Sequence, residues 1–375
     1  MNRTRTYFRG IAAATAMTFT AATTADACTG ILLKNADGTI VHGRTVEFGM
    51  PLEMDLVFVP RGYDFVGQTP LGAGKTWTSK YAATGGILFG NLAIMDGLNE
   101  KGLAVGAFFF PTFAEYTATS TDNQSKSMSA ADFSNWILTQ FSSVDEVRKA
   151  IEGDEVVVAP TLLPGWPPQP QPFHWIVYDK SGKSLVIEPL KGKLVLNDNP
   201  LGVLTNSPNF EWHMTNLRNF VSLSPRDVPA VTLDKKTFAP FGMGAGLYGL
   251  PGDLTPPSRF VRATVFSATA IPAANTAEGI LKGFHILNNF DIPIGAARES
   301  ADGKTYYDMT MITTMRDPQN LRFYYKTYDD QTIRMVDLAK FDFDGKEIKK
   351  LSTKSDQPIV DMSGKFQVRK TANAQ

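Results

Sequence analysis

Ala25-Asp26-Ala27-Cys28-Thr29-Gly30 joins two kinds of sequence, and its reading decides the rest of the chain. Upstream stand a basic start (Arg3, Arg5, Arg9), an apolar and small-residue run from Ile11 to about Thr24, and an Ala-x-Ala site, the three parts of a secretion signal. A cut after Ala27 makes Cys28, the only cysteine among 375 residues, the first residue of the mature protein. Its thiol then has a free α-amine beside it, with a pKa of roughly 7.7–8.0 in water, so one residue can serve as nucleophile and base. Two plainer readings compete. One is a lipid-modified cysteine, disfavoured because Ala25 rather than Leu stands three positions back and the acid Asp26 two back; the other is a small buried hydrophobe.

Composition narrows the class. Removing residues 1–27 leaves 348 (375 minus 27), with 43% hydrophobic and 11% aromatic content over the full chain, enough for a sizeable core. Lys and Arg total 37 against 37 Asp and Glu, so there is no basic footprint for nucleic acid. One cysteine excludes an intramolecular disulfide, and beyond the signal no apolar run reaches membrane-spanning length. The four histidines (His42, His174, His213, His285) lack metal-ligand spacing, so no metal or other cofactor is expected. We expect a periplasmic or secreted protein, with no stable membrane insertion, built as one catalytic domain over 28–340. A charged C-terminal extension, 341–375, frays past Ser363.

The order of elements predicts α+β architecture. Thr29 to Leu33 and Thr39 to Phe48 read as a hairpin, as do the two runs around Asn99-Glu100-Lys101-Gly102, the second of which, Leu103 to Phe110, is apolar on both faces. Capping patterns at Ser129 and Ser143 open two helices, and further helical spacing covers Asn209–Val221, Arg259–Ala270 and Thr276–Asn288. Strands return at His174–Tyr178, Ser184–Leu190, Lys193–Asn197 and, near the end, Asp308–Met315, Leu321–Tyr328 and Ile333–Leu338. Without βαβ alternation, this predicts packed antiparallel sheets with helices outside them. Gly67–Lys80 reads as a surface turn. The proline-rich stretch Pro160–Pro172 reads as a rigid connection or as a lid with Trp166 at its tip. Gly244-Ala245-Gly246-Leu247-Tyr248-Gly249 matches a dinucleotide fingerprint only as a string, since no strand precedes it and Pro251 follows.

Four segments together resemble the choloylglycine hydrolase family of N-terminal-nucleophile hydrolases, over roughly Cys28 to Leu338. They are Cys28-Thr29-Gly30 with Arg44-Thr45; Asn99-Glu100-Lys101-Gly102-Leu103 leading to Phe108-Phe109-Phe110-Pro111; Leu204-Thr205-Asn206-Ser207-Pro208 followed by Trp212 and Thr215–Asn219; and Leu250-Pro251-Gly252-Asp253 with Ser258–Arg262. The resemblance implies a four-layer αββα sandwich, Cys28 as nucleophile, Arg44 and Arg259 as the arginines around it, and Asn206 as the oxyanion-hole amide. Glu47 stands where many members carry aspartate. Phe109 replaces a polar residue, leaving only its backbone N–H for an oxyanion. Phe48, Phe108, Phe109, Phe110 and Trp166 are the candidates to line an apolar acyl pocket. Export, Glu47 and Phe109 favour the Gram-negative penicillin V acylase type, acting on penicillin V or N-acyl homoserine lactones, ahead of conjugated bile salts. The resemblance further implies a homotetramer, and an inactive lipid-anchored binding protein is the rival from another class.

Overall fold

The computed structural model describes residues 27–367 apart from 53, 167, 168 and 302; the expected leader, Ala27 excepted, lies outside the described residues. Two antiparallel sheets face each other. The six-stranded sheet runs Cys28–Lys34, Ile40–Phe48, Lys304–Asp317, Arg322–Thr327 and Arg334–Asp337, with Ala297–Ala301 paired to Lys304–Asp317 as a side branch. The eight-stranded sheet runs Lys193–Asp198, Ser184–Leu190, Phe173–Tyr178, Ala104–Phe109, Ile94–Asn99, Ala83–Ile87, Asp55–Val59 and Lys349–Ser352.

Helices Pro256–Thr269 and Thr276–Leu287 cover the outer face of the six-stranded sheet, and Ala130–Gln140 covers that of the eight-stranded one. The layers are therefore helix, sheet, sheet, helix, the α+β sandwich expected. Sandwiching explains why all nine residues of Ile40–Phe48 and all six of Ala104–Phe109 are buried: each strand has a packed layer on both faces. Between the sheets, Arg316 pairs with Asp96 at 2.7 Å, and the Thr314 hydroxyl donates to the other Asp96 oxygen at 2.7 Å. Leaving either partner of such a buried pair alone is strongly destabilising, so these groups fix how the sheets face each other.

Local chemistry sets the element ends. Ser129 and Ser143 each accept a backbone N–H three residues on, from Asp132 and Glu146, as their capping patterns predict. Gly102, at φ +84°, closes the turn between Ile94–Asn99 and Ala104–Phe109 in a conformation that a side chain would strain.

Three elements differ from expectation. Gly67–Lys80 is no loose turn: Asp64–Thr69 and Gly72–Thr78 form a hairpin, because Phe65 and Trp77 stack at 4.9 Å beside the helix Ala130–Gln140, whose Thr139 hydroxyl accepts the Trp77 indole N–H. The helix expected over 209–221 is Phe210–Asn216, tightening into a 3₁₀ turn at Leu217–Phe220. Lys349–Ser352, inside the expected extension, pairs with Asp55–Val59 as an edge strand of the larger sheet. All four of its residues are exposed, so its sequence carries no hydrophobic alternation to mark it as a strand.

Candidate active site

Cys28 begins the first strand, and antiparallel register brings the return strand alongside, with Cys28 opposite Val46 and Gly30 opposite Arg44. Gly30 is required by space: a Cβ there would lie 2.8 Å from the Phe108 ring. Arg44 uses the same opening. Its guanidinium stacks 3.9 Å from the Phe108 ring centroid and donates to the carbonyls of Ala107 and Thr45, while only 2% of the residue is exposed.

Asn206 joins the parts. Its Oδ1 accepts the Cys28 backbone N–H at 2.7 Å and the Arg259 Nη2–H at 2.8 Å, and its Nδ2 donates to the Phe109 carbonyl at 2.7 Å. One of the two amide N–H bonds of Nδ2 is thereby used and the second is left over. Arg259, in the first turn of Pro256–Thr269, donates through Nη1 to the Cys28 carbonyl at 2.6 Å and the Thr29 hydroxyl at 2.9 Å, and through Nε to the Leu254 carbonyl. Cys28, Arg44, Glu47, Asn206 and Arg259 thus form one buried cluster drawn from four separate parts of the chain.

The loop carrying Asn206 is held by two histidines, for which the sequence showed only the absence of metal-ligand spacing. His174 places Nε2 2.9 Å from the Thr205 carbonyl and Nδ1 3.2 Å from Glu188, which also accepts the Phe210 N–H. His213 donates from Nε2 to the Asn206 carbonyl at 2.9 Å; burial pushes its pKa down to about 4, so the ring is neutral at pH 7. A histidine inside the apolar run Phe173–Tyr178 was the available signal for the first; nothing in the sequence marks the second.

Glu47 is 1% exposed. Its Oε1 accepts the Thr310 hydroxyl at 3.2 Å, and its Oε2 has no protein partner. Burial raises its pKa to about 8, against the pull of Arg259, so the carboxyl is largely protonated at neutral pH. Burial likewise pushes the Cys28 thiol up, with Arg44 and Arg259 opposing and Glu47 reinforcing the shift. In this unbroken chain the nitrogen beside the thiol is a peptide N–H bonded to Asn206, and Glu47 N–H donates to the Ala27 carbonyl at 2.9 Å.

Two cavities meet at this cluster. One, about 30 Å³, is the more closed and mostly apolar, walled by Cys28, Phe48, Leu52, Phe109, Trp166 and Phe173 with Arg44 and Glu47 at its edge. Trp166, on the proline-rich stretch, is 8% exposed and packs on Phe48 at 4.9 Å and Phe173 at 5.6 Å, so it sits inside as a plug rather than at a surface tip. The expectation that Phe108 and Phe110 line this pocket is corrected. Strand alternation sends Phe109 toward it and its neighbours to the other face, where Phe108 supports Arg44 and Phe110 stacks on His174 at 4.1 Å. Alternation also turns the Phe109 backbone: Phe110 N–H bonds the Pro172 carbonyl at 2.6 Å, so Phe109, one residue back, directs its N–H and C=O away from that neighbouring strand. The second cavity, about 740 Å³, is open and charged, with Ala27, Asn206, Arg259 and Asp308 among its walls. Among the described residues no cluster of metal-ligating side chains occurs, and no helix is long and apolar enough to cross a membrane.

The chain is 35% identical over 326 residues to the bile salt hydrolase/transferase of Clostridium perfringens, covering 86% of this chain and 95% of that protein. It is 26% identical over 323 residues to the penicillin V acylase of Pectobacterium atrosepticum, covering 81% and 78%. The structure of a variant of the conjugated bile acid hydrolase from Clostridium perfringens superposes with a TM-score of 0.78 at 32% identity, covering 89% of this chain and 99% of that one. Residues 28–351 match the profile of the linear amide C–N hydrolases, choloylglycine hydrolase family, so the match begins at Cys28 and ends within the edge strand; the chain belongs to that family.

Proposed function

We propose that Cys28, freed by cleavage of the Ala27–Cys28 bond, is the nucleophile of an amidase acting on conjugated bile salts. The bond from Cys28 N–H to Asn206 Oδ1 carries the chemistry: it fixes the nitrogen that becomes the base beside the thiol. In the uncut chain that nitrogen is an amide and cannot take a proton. Once freed, it accepts the thiol proton, and the two arginines favour the resulting thiolate. Sulfur attacks the substrate carbonyl. The oxygen that becomes negative is met by the remaining Asn206 N–H and the Phe109 N–H, donors already oriented before reaction. Collapse expels the amine and leaves a thioester, which water hydrolyses with the same α-amine as base. Glu47, in place of the family aspartate, supplies a carboxyl whose charged form the new ammonium would favour.

The substrate order expected from the sequence is reversed here, because 35% identity to a bile salt hydrolase/transferase outweighs 26% to a penicillin V acylase. One observation favours the second reading, penicillin V or an N-acyl homoserine lactone: the apolar cavity is small beside its neighbour, about 30 Å³ against about 740 Å³, and a compact aryloxyacetyl group needs less opening than a steroid. Turnover of glycocholate, penicillin V and an acyl homoserine lactone, measured side by side with Cys28→Ala and Cys28→Ser controls, separates them. Glycocholate turnover above the other two supports the proposal, and turnover of penicillin V alone overturns it.

We further propose export to the periplasm or medium and assembly into a homotetramer. The first rests on the leader sequence. The second is supported by the exposed hairpin Val231–Leu233/Lys236–Phe238 and by Phe241 and Met243 beside it, apolar side chains left in water on one arm. Mass spectrometry of the mature protein should find an unmodified Cys28 N-terminus; a diacylglycerol there would sink the enzyme reading in favour of an anchored binding protein.

A further inference from the structure

Strand Lys304–Asp317 carries a bulge that the chemistry at Cys28 leaves unused. Its register against Ile40–Phe48 pairs Met309 with Phe48 and Thr310 with Glu47, then slips, so that Ile312 rather than Met311 stands opposite Val46. Plain alternation would put Met309 and Met311 on one face and Thr310 and Ile312 on the other. The extra residue turns Ile312 back to the methionine side, while Thr310 stays behind with Glu47. Met309, Met311 and Ile312 thereby wall one chamber of about 220 Å³, together with Leu52 and Met54.

This chamber lies beside the closed cavity, since Leu52 and Met54 wall both. Val46 and Phe48, which also wall the closed cavity, are the cross-strand partners of Ile312 and Met309. Directly paired residues share a sheet face, with Cβ atoms roughly 4.5–5.5 Å apart. The two spaces are therefore neighbours on one face of the six-stranded sheet. Cys28 stands in the wall of the first and not of the second, so the order outward from the sulfur is closed cavity, then chamber.

We propose that this chamber is a distal acyl subsite, taking the far end of a straight alkyl chain whose carbonyl is at Cys28, and that Met309 and Met311 set the chain length accepted. The inference rests on the amidase reading above and goes beyond it by dividing the acyl site in two. A flexible chain can thread the join at Leu52 and Met54, whereas a fused ring system cannot bend past it. Leu52, Met54 and Ile312, all buried, make the inner end apolar, and buried Thr353 spends its hydroxyl on the Met54 carbonyl. The charged residues among the described walls, Asp329 and Lys354, are exposed. Met309 and Met311 are half-buried, so an occupant would cover them, and an unbranched thioether adapts to a chain that can settle in several positions.

The test uses N-butanoylglycine, N-octanoylglycine and N-dodecanoylglycine, which keep the amine of glycocholate and vary the chain alone. In the parent enzyme kcat/KM should rise at least about a hundredfold from butanoyl to dodecanoyl, since each methylene taken from water into an apolar wall is worth about fourfold. Met309→Trp and Met311→Trp fill the chamber and should each lower the dodecanoyl-to-butanoyl ratio about tenfold or more. Met311→Ala widens it and should raise that ratio. A flat profile in the parent, a ratio that none of the three variants moves, or a loss equal at all chain lengths overturns the subsite. If glycocholate turnover falls as far as that of dodecanoylglycine in the tryptophan variants, the steroid is the occupant and the assignment to a straight chain fails. A parent that hydrolyses glycocholate but no acylglycine overturns this inference alone, and one that hydrolyses no amide overturns the amidase reading itself.

Discussion

The two cavities beside Cys28 differ in enclosure and in what walls them. The closed one is walled mainly by aromatic and aliphatic side chains from both sheets, with Arg44 and Glu47 at its edge, and is plugged by Trp166. The open one sets charged groups from the helix Pro256–Thr269 (Arg259) and from strands Ala297–Ala301 and Lys304–Asp317 (Arg298, Glu299, Asp308) among small apolar residues. The proposed substrate, an amide with an apolar acyl group and a polar amine, would lie across them, because Cys28, the proposed nucleophile, stands where the two environments meet. On this reading the difference teaches that selectivity for the acyl group is a matter of packing volume, whereas handling of the amine is a matter of charge.

Cys28→Ala is the sharpest way to break this picture. It should reduce hydrolysis of every amide and ester to background while thermal unfolding stays near that of the parent; retained turnover would show that neither cavity serves chemistry at Cys28. Asn206→Ala comes next, with a loss on the order of a hundredfold or more in kcat. It should affect amide and ester alike, because both pass through an oxyanion. A loss confined to amides would move Asn206 to the amine side of the comparison.

Neighbouring phenylalanines test the closed side. Phe108→Ala should destabilise the fold by about 3–5 kcal/mol, read by denaturant unfolding, since it removes a fully buried ring and the support of Arg44. Phe109→Ala and Trp166→Ala should instead shift KM and widen acyl preference toward bulkier groups, measured across an acyl series. Were Trp166→Ala to leave acyl preference untouched, the plug would lie outside the substrate's path.

The last test is of stability against pH. Glu47, at about 8, and Asp308, at about 7, are both raised by burial above their ordinary values of 4.5 and 3.8. A raised carboxyl contributes stability that is complete below its unfolded pKa and lost as pH rises toward its folded one. Uncut protein should therefore weaken from about pH 4 to 8, by at most about 1.4 kcal/mol per pH unit for each group. Glu47→Gln should flatten that slope in denaturant titrations at pH 5 and pH 8. An unchanged slope would mean that Glu47 is already paired.

The sequence alone settled what depends on local chemistry. The caps at Ser129 and Ser143, the turn at Gly102 and the doubly apolar strand before Pro111 each follow from residue types at short spacing. The four ordered segments then pointed to the family, and through it to Arg44, Asn206 and Arg259. What the tertiary structure decided depends on which residues far apart in the chain come to share one space. Alternation along a doubly buried strand looks the same in sequence whichever face meets the pocket, so only packing separates Phe109 from Phe108 and Phe110. The exposed edge strand Lys349–Ser352 has no apolar face to announce it. Asp308 lies in an ordinary strand, 280 residues beyond Cys28 (308 minus 28), and it gains its character only from burial between Arg259 and Glu47 beside an open cavity. Desolvation and coupling between charges are properties of that shared space, and no spacing along the chain encodes them.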